Sequence, residues 1–251
     1  MANLDGSGYR AVVGTTGVNG AVYPSMSYLA GADGSIVYQE GTGPTSSRAM
    51  IIDSLGAAKR PITTDPALVA TGYPRFSTSQ GVVNSTGHAA DGTVGVWAVG
   101  TDGTGARLTV ALPALDLSPA SAPLLSNAED LVAYSPDGVE LMAAYTASIG
   151  SGYSFGAAGQ FLRWAPTSGR TLTLTGPGAT GITLLDMLNG TSGFVGSEVG
   201  FDGPAEWSHD GSWLLAHVAA TNQLALVRRS DGLTLPLLWS TGYSQASWVS
   251  P

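Results

Sequence analysis

Gly152-Tyr153-Ser154-Phe155-Gly156 spells G-x-S-x-G, the spacing that lifts a serine hydroxyl out of a sharp strand-to-helix turn and makes it a nucleophile. Asp186 follows in the chain, and His209 and His217 come after it, so an acid and a base stand in the order such hydrolases use. That chemistry needs a parallel strand before the serine and a helix after it. Here the motif sits in a Gly-rich stretch, GSGYSFGAAG, with no helical period behind it. The stretch reads as a loop between antiparallel strands, and no catalytic residue is assigned.

A second set of candidates is acidic. Glu129-Asp130 and Glu198, Asp202 and Glu206 precede apolar strands, and in a ring of such strands they would face one channel. Convergent carboxylates there would suit acid–base hydrolysis of a glycan or peptide. Exposed strand ends are commonly acidic without any such role. The histidines, His88, His209 and His217, have no ligand spacing, no D-x-D-x-D-G calcium loop occurs, and there is no cysteine. No metal and no cofactor is expected. Tyr23-Pro24 and Tyr73-Pro74 each stand before a strand, with Pro204 and Tyr243 in similar places. Proline suits a strand start, and a ring of tyrosines suits stacking on a sugar or peptide. The candidate binding residues are therefore Tyr23, Tyr73, Glu129, Asp130, Tyr153, Asp202, Glu206 and Tyr243.

The elements that would position them are marked by Asp-Gly turns. AYSPDGVELMAAY (133–145) and EWSHDGSWLLAHV (206–218) both run aromatic, Ser, one residue, Asp-Gly, then an apolar strand. YLAGADGSIVYQE, turning at Asp33-Gly34, is a weaker copy, and RFSTSQGVVNS keeps Phe76-Ser77 and only Gly81 of the turn. Asp-Gly between β-type runs is a strong hairpin signal, because glycine accepts the positive φ of a tight turn. A second Gly turn recurs at Gly6, Gly56, Gly103, Gly169 and Gly232. The separations Gly34–Gly56, Gly81–Gly103, Gly138–Gly169 and Gly211–Gly232 are 22, 22, 31 and 21 residues, and the long one carries the GSGYSFGAAG insertion.

Each unit thus predicts four antiparallel strands, the blade of a β-propeller. Phe76, Tyr134 and Trp207 before the first turn, with Trp97 and Trp164 on the third strand, would fill the space between blades. A β-sandwich would give no reason for four copies with one internal spacing. The fold class is all-β, a propeller of four full repeats plus a partial fifth. It forms one domain over residues 1–251, with repeats at 22–65, 70–112, 128–176 and 203–240. Pieces 1–18 and 243–251 form the partial blade. They either close the ring together, with 245–249 joining the N-terminal strands, or belong to a larger ring. A second insertion, 177–200, breaks the period, and its Ile182–Leu188 stretch suits either a short helix or an extra strand.

The SPDG of 135–138, the SHDG of 208–211 and the LDGSG and TDGTG turns resemble the repeats of TolB-type, WD-like bacterial propellers. The resemblance covers nearly the whole chain, closely in the last two repeats and loosely in the first two. It implies the propeller fold and a periplasmic or extracellular setting. It leaves function open, since such repeats serve scaffold proteins, lectin-like modules and accessory domains of peptidases.

Charge narrows the partners. The net charge is −8, the only lysine is Lys59, and the closest thing to a basic cluster is the single pair Arg228-Arg229, read as a solvated strand end. Nucleic acid requires a basic face, so it is not expected. No apolar run approaches the ~20 residues of a helical span, so no membrane insertion is expected. The reading is a non-catalytic binding or scaffold module for a protein or glycan. The alternatives are a propeller hydrolase with channel carboxylates and a structural repeat unit of a larger assembly. A homo-oligomer would complete the partial blade.

Overall fold

The structure is a computed structural model, and it describes residues 7, 35–40, 48–53, 58–66, 68–77, 81–112, 124–125, 131–134, 140–145, 153–157, 161–166, 171–175, 180–187, 189–208, 210–242 and 248. Among them there is no α-helix. Eighteen strands, all paired antiparallel, and one 3-10 turn at Leu238–Ser240 make up the regular structure. The chain divides into two compact units, 12–158 with 249–251, and 159–248 with 1–11.

The first unit holds β1 (Ile36–Glu40), β2 (Arg48–Ile52) and β3 (Lys59–Pro61), in that sheet order. A four-stranded meander follows: β4 (Leu68–Ser77), β5 (Val82–Ala89), β6 (Val94–Gly100) and β7 (Arg107–Ala111). Val37, Ala49 and Ile51 from the first sheet, with Ile62 just after β3, pack with Phe76, Val83 and Val99 from the second, so two sheets bury one face of each. A third sheet runs β11-β10-β9-β8, from Tyr153–Ala157, Glu140–Tyr145, Leu131–Tyr134 and Leu124–Leu125.

The second unit is a run of seven strands in chain order: β12 (Phe161–Trp164), β13 (Thr171–Thr175), β14 (Thr180–Asp186), β15 (Thr191–Trp207), β16 (Trp213–Val218), β17 (Gln223–Arg228) and β18 (Thr234–Pro236). The 17-residue β15 serves two sheets. Its first half pairs with β14 as far as Gly200, and its second half pairs with β16 from Phe201 onward. Gly196 (φ +66°) and Gly203 (φ +79°) let the strand bend between the two ladders. Ile182 and Val195 of one ladder meet Phe201, Ala205, Trp207, Leu214, Ala216 and Val227 of the other in a single core. Every side chain of β13 is buried, while the outermost β18 is half-buried or exposed. That gradient is what a sheet covered on both faces produces.

Two sequence expectations change here. The GSGYSFGAAG insertion is not simply a loop: Tyr153–Ala157 forms β11 and pairs with β10, Met142 opposite Ser154, across a bulge. Ser154 is exposed in mid-strand, so the strand-turn-helix setting of a nucleophile elbow is absent at that residue. The third repeat is also rearranged. β12 pairs with β13, and β13 takes its other partner from the second insertion, whose Thr180–Asp186 is a strand and not a helix. An insertion long enough to return on itself satisfies its own backbone groups by pairing, which a loop over the surface would leave to water.

The glycine turns behave as their sequence implies. Gly81, Gly103, Gly211 and Gly232 all have positive φ. The Asp residues before three of them accept a backbone N–H two residues on: Thr104 to Asp102 at 2.9 Å, Ser212 to Asp210 at 3.1 Å and Leu233 to Asp231 at 3.1 Å. Asp210 also accepts the Ser208 and Ser212 hydroxyls, each at 2.6 Å. These donors, Ser208 first, lower its pKa from the ordinary 3.8 to about 2. A carboxyl depressed by folding stabilises the fold above its unfolded pKa and loses that contribution as pH falls through its folded pKa. The Asp210 turn is therefore expected to hold from neutral pH down to about 2. Carbon-detected NMR titration of the Asp210 carboxyl checks this, and a midpoint at 3.8 would refute the turn geometry.

Candidate functional site

The described polar side chains that could do chemistry collect on the second half of β15 and the strands beside it. Glu206 is buried and forms an ion pair with the equally buried Arg163 of β12, from guanidinium Nε to carboxylate Oε1. The Thr173 hydroxyl donates to the Arg163 carbonyl at 3.0 Å, and the Trp248 indole donates to the Glu206 carbonyl at 3.1 Å. Four residues earlier, the Asp202 carboxylate meets Nδ1 of His217, whose Nε2 lies 3.0 Å from Asn222 Oδ1. His217 is buried, whereas the Asp202 side chain is 43% exposed. A bulge between Asp202 and Glu206 sets five residues of β15 against three of β16 and places these two polar sites along one strand.

At the turn end of the same sheet, two arginines stack on two tryptophans. The register puts Trp207 opposite Leu214, which pairs with Val227, and puts Trp213 opposite Arg228. Alternation along the strand then sends Arg229 to the Trp207 face and Arg228 to the Trp213 face. The guanidinium of Arg229 lies 5.4 Å from the Trp207 ring centroid, and that of Arg228 lies 5.7 Å from that of Trp213. Arg228 is also clamped by Asp231, Nε to Oδ1 at 2.9 Å and Nη2 to Oδ2 at 2.6 Å. This pair, with the Leu233 N–H, lowers the Asp231 pKa to about 2.

Compared with known structures, the chain matches a putative TolB from Agrobacterium tumefaciens with a TM-score of 0.55, at 12% identity over 82% of this chain and 77% of that one. TolB from Acinetobacter baumannii matches at 0.54 and 14% identity, over 84% of this chain, which spans about half (53%) of that protein. The fold is that of a β-propeller. A chain in the nidogen/laminin complex also matches, at 0.53 and 10% identity over 83% of this chain and 77% of that one. No protein-family model matches the chain, and no curated protein matches it. At 10–14% identity the likeness is one of fold.

On this propeller the sequence candidates are distributed as follows. Asp202 and Glu206 lie on β15, each held by its own partner and not by the other. Tyr73 lies on β4 and Tyr153 on β11. Tyr23, Glu129, Asp130, Tyr243 and His209 fall outside the described residues. Phe76, Trp164 and Trp207 are buried, as residues filling the space between sheets should be. Among the described residues no three His, Cys, Asp or Glu side chains converge to hold a metal ion. The Arg163–Glu206 pair had no signal in the sequence, because its partners lie 43 residues apart on strands that only the propeller's folding brings together. The Arg-Trp stacks had a partial signal, since Trp207, Trp213 and Arg228-Arg229 flank the two turns of one repeat.

Proposed function

We propose that this propeller is a non-catalytic binding module for a protein partner, with the sheets β1–β3, β4–β7, β8–β11, β12–β15 and β15–β18 as its blades. The observation that carries the reading is an apolar strip at the outer strand of the last sheet. Leu233 and Leu235 are 42% and 41% exposed, and Leu238 and Trp239 of the following 3-10 turn are 74% and 37% exposed. No charged residue occurs from Gly232 to the last residue given. Contiguous exposed apolar surface on a folded domain is the mark of an interaction site. Tryptophan is among the residues enriched at interface anchors. Among the described residues β18 is the outermost strand of its sheet, an edge interrupted by Pro236 beside which a partner's chain can lie. The buried polar groups of β15 and β16 support a non-catalytic role, since Glu206 and His217 are spent on holding strands together.

A photo-crosslinking amino acid placed at Leu238 in the native host is expected to yield a discrete protein adduct. The same label at exposed Thr221 serves as the reference, and Leu235→Glu is expected to abolish the adduct. Equal labelling at Leu238 and Thr221, or an adduct indifferent to Leu235→Glu, would overturn the proposal.

A further inference from the structure

Resting on that reading, we propose that Arg229, stacked on Trp207 at the turn end of the last sheet, receives a carboxylate side chain of the protein partner. Arginine planes on tryptophan faces hold the guanidinium in one orientation and leave its edge N–H groups directed outward. Arg229 is half-buried and has no hydrogen-bonding or carboxylate partner for its side chain among the described residues. Trp207 beneath it is 6% exposed, and its indole N–H is buried with no acceptor among the described residues. The stack fixes the guanidinium over the ring while its outward N–H groups remain open to an acceptor from outside the chain.

The neighbouring charges are already engaged. Asp231 is taken up by Arg228 and by the Leu233 N–H, and Asp210 by Ser208 and Ser212. The other paired cations show the contrast: Lys59 meets Glu40, Arg163 meets Glu206, and Arg228 meets Asp231. A single guanidinium is a meagre site for a free anion. It is well suited to one acidic residue of a peptide whose apolar neighbours rest on Leu233, which is exposed at the end of the same turn. Arginine is among the residues most enriched at interface hot spots.

The test is an NMR titration of the intact chain, following the arginine Nε–Hε signals. The probes are a blocked peptide alternating leucine and glutamate, its leucine–glutamine counterpart, sodium acetate and inorganic phosphate. The Arg229 signal is expected to shift and saturate with the glutamate peptide, with the glutamine peptide roughly 10-fold weaker or more. Arg229→Lys is expected to weaken the response, since lysine loses the fork and the stack. Arg48→Gln, at an exposed arginine on β2, is expected to leave it unchanged. An Arg229 signal that does not move, or responds alike to both peptides, overturns the proposal. So does saturation by acetate or phosphate as tight as by the peptide, which would make this a small-anion site. Crosslinking at Leu238 reads the apolar strip separately. If Leu238 adducts persist in Arg229→Gln while the peptide fails, the binding-module reading stands and this assignment falls.

Discussion

Replacing Glu206 with glutamine is expected to lower the melting temperature by on the order of 10 °C. The reason is not the loss of one attraction but the charge left behind. Arg163 and Glu206 are each 6% exposed, and neither has water to fall back on. Breaking such a pair from one side typically costs about 3–5 kcal/mol, because the surviving ion stays buried without its counter-charge. Arg163→Met alone should cost a similar amount by stranding the carboxylate. The double variant Arg163→Met, Glu206→Leu should recover most of the loss, because two apolar side chains of similar volume need no partner. Asp202→Asn is the contrasting case. Its carboxylate is 43% exposed, so its pairing with His217 is largely screened, and the cost should stay below about 1 kcal/mol. Thermal unfolding followed by circular dichroism distinguishes these outcomes. A Glu206→Gln protein that melts with the wild type would show that Glu206 is not structural and would return it to the candidates for ligand contact.

Gly232→Ala is the second substitution with a large expected effect, about 3 kcal/mol. Gly190→Ala isolates its cause. Both glycines have positive φ, +73° and +62°, so both substitutions pay the steric cost of an L side chain in that region, about 1–2 kcal/mol. A Cβ on Gly190 would meet nothing within 4 Å. A Cβ on Gly232 would lie 2.8 Å from the backbone nitrogen of Gly196, where β15 bends between its two ladders. Backbone cannot move aside as a flexible side-chain tip can, and Gly196 is itself hemmed in by the Phe201 ring and Val227. Gly232→Ala must therefore push the β17–β18 turn away from β15, and Gly190→Ala need not. Equilibrium unfolding in urea should give a clearly larger loss for Gly232→Ala. Equal losses would mean that only local backbone conformation is felt at either site.

Much of the fold was legible along the chain because its signals are local. An Asp-Gly between two apolar runs carries its whole mechanism within four residues. The aspartate bonds the backbone two positions on, and the glycine accepts positive φ, as Asp210-Gly211 and Asp231-Gly232 do. Repeating that signal at a near-constant separation implied four-stranded antiparallel units, and the sheet β4–β7 follows its expected order strand for strand. The buried aromatics before the turns were legible for the same reason, since strand alternation fixes which face Phe76 and Trp207 occupy.

What the sequence by itself determined, then, is the class of fold: antiparallel strands, their turns and the apolar faces they bury, all set by contacts between near neighbours. Only the tertiary structure decided which strands share a sheet where insertions interrupt the repeat. β11 competes for the edge of β10, and β14 offers its edge to β13, a choice made by hydrogen-bond partners that no local pattern encodes. The same holds for the polar side chains. Glu206 looked like a channel carboxylate and is a buried counter-ion, because Arg163 arrives from 43 residues away. Arg228 and Arg229 looked alike and are not: alternation sends them to opposite faces, and among the described residues only one of them finds a carboxylate. Long-range pairing assigns these roles, since the free energy of a charge depends on what folding brings within a few ångströms of it.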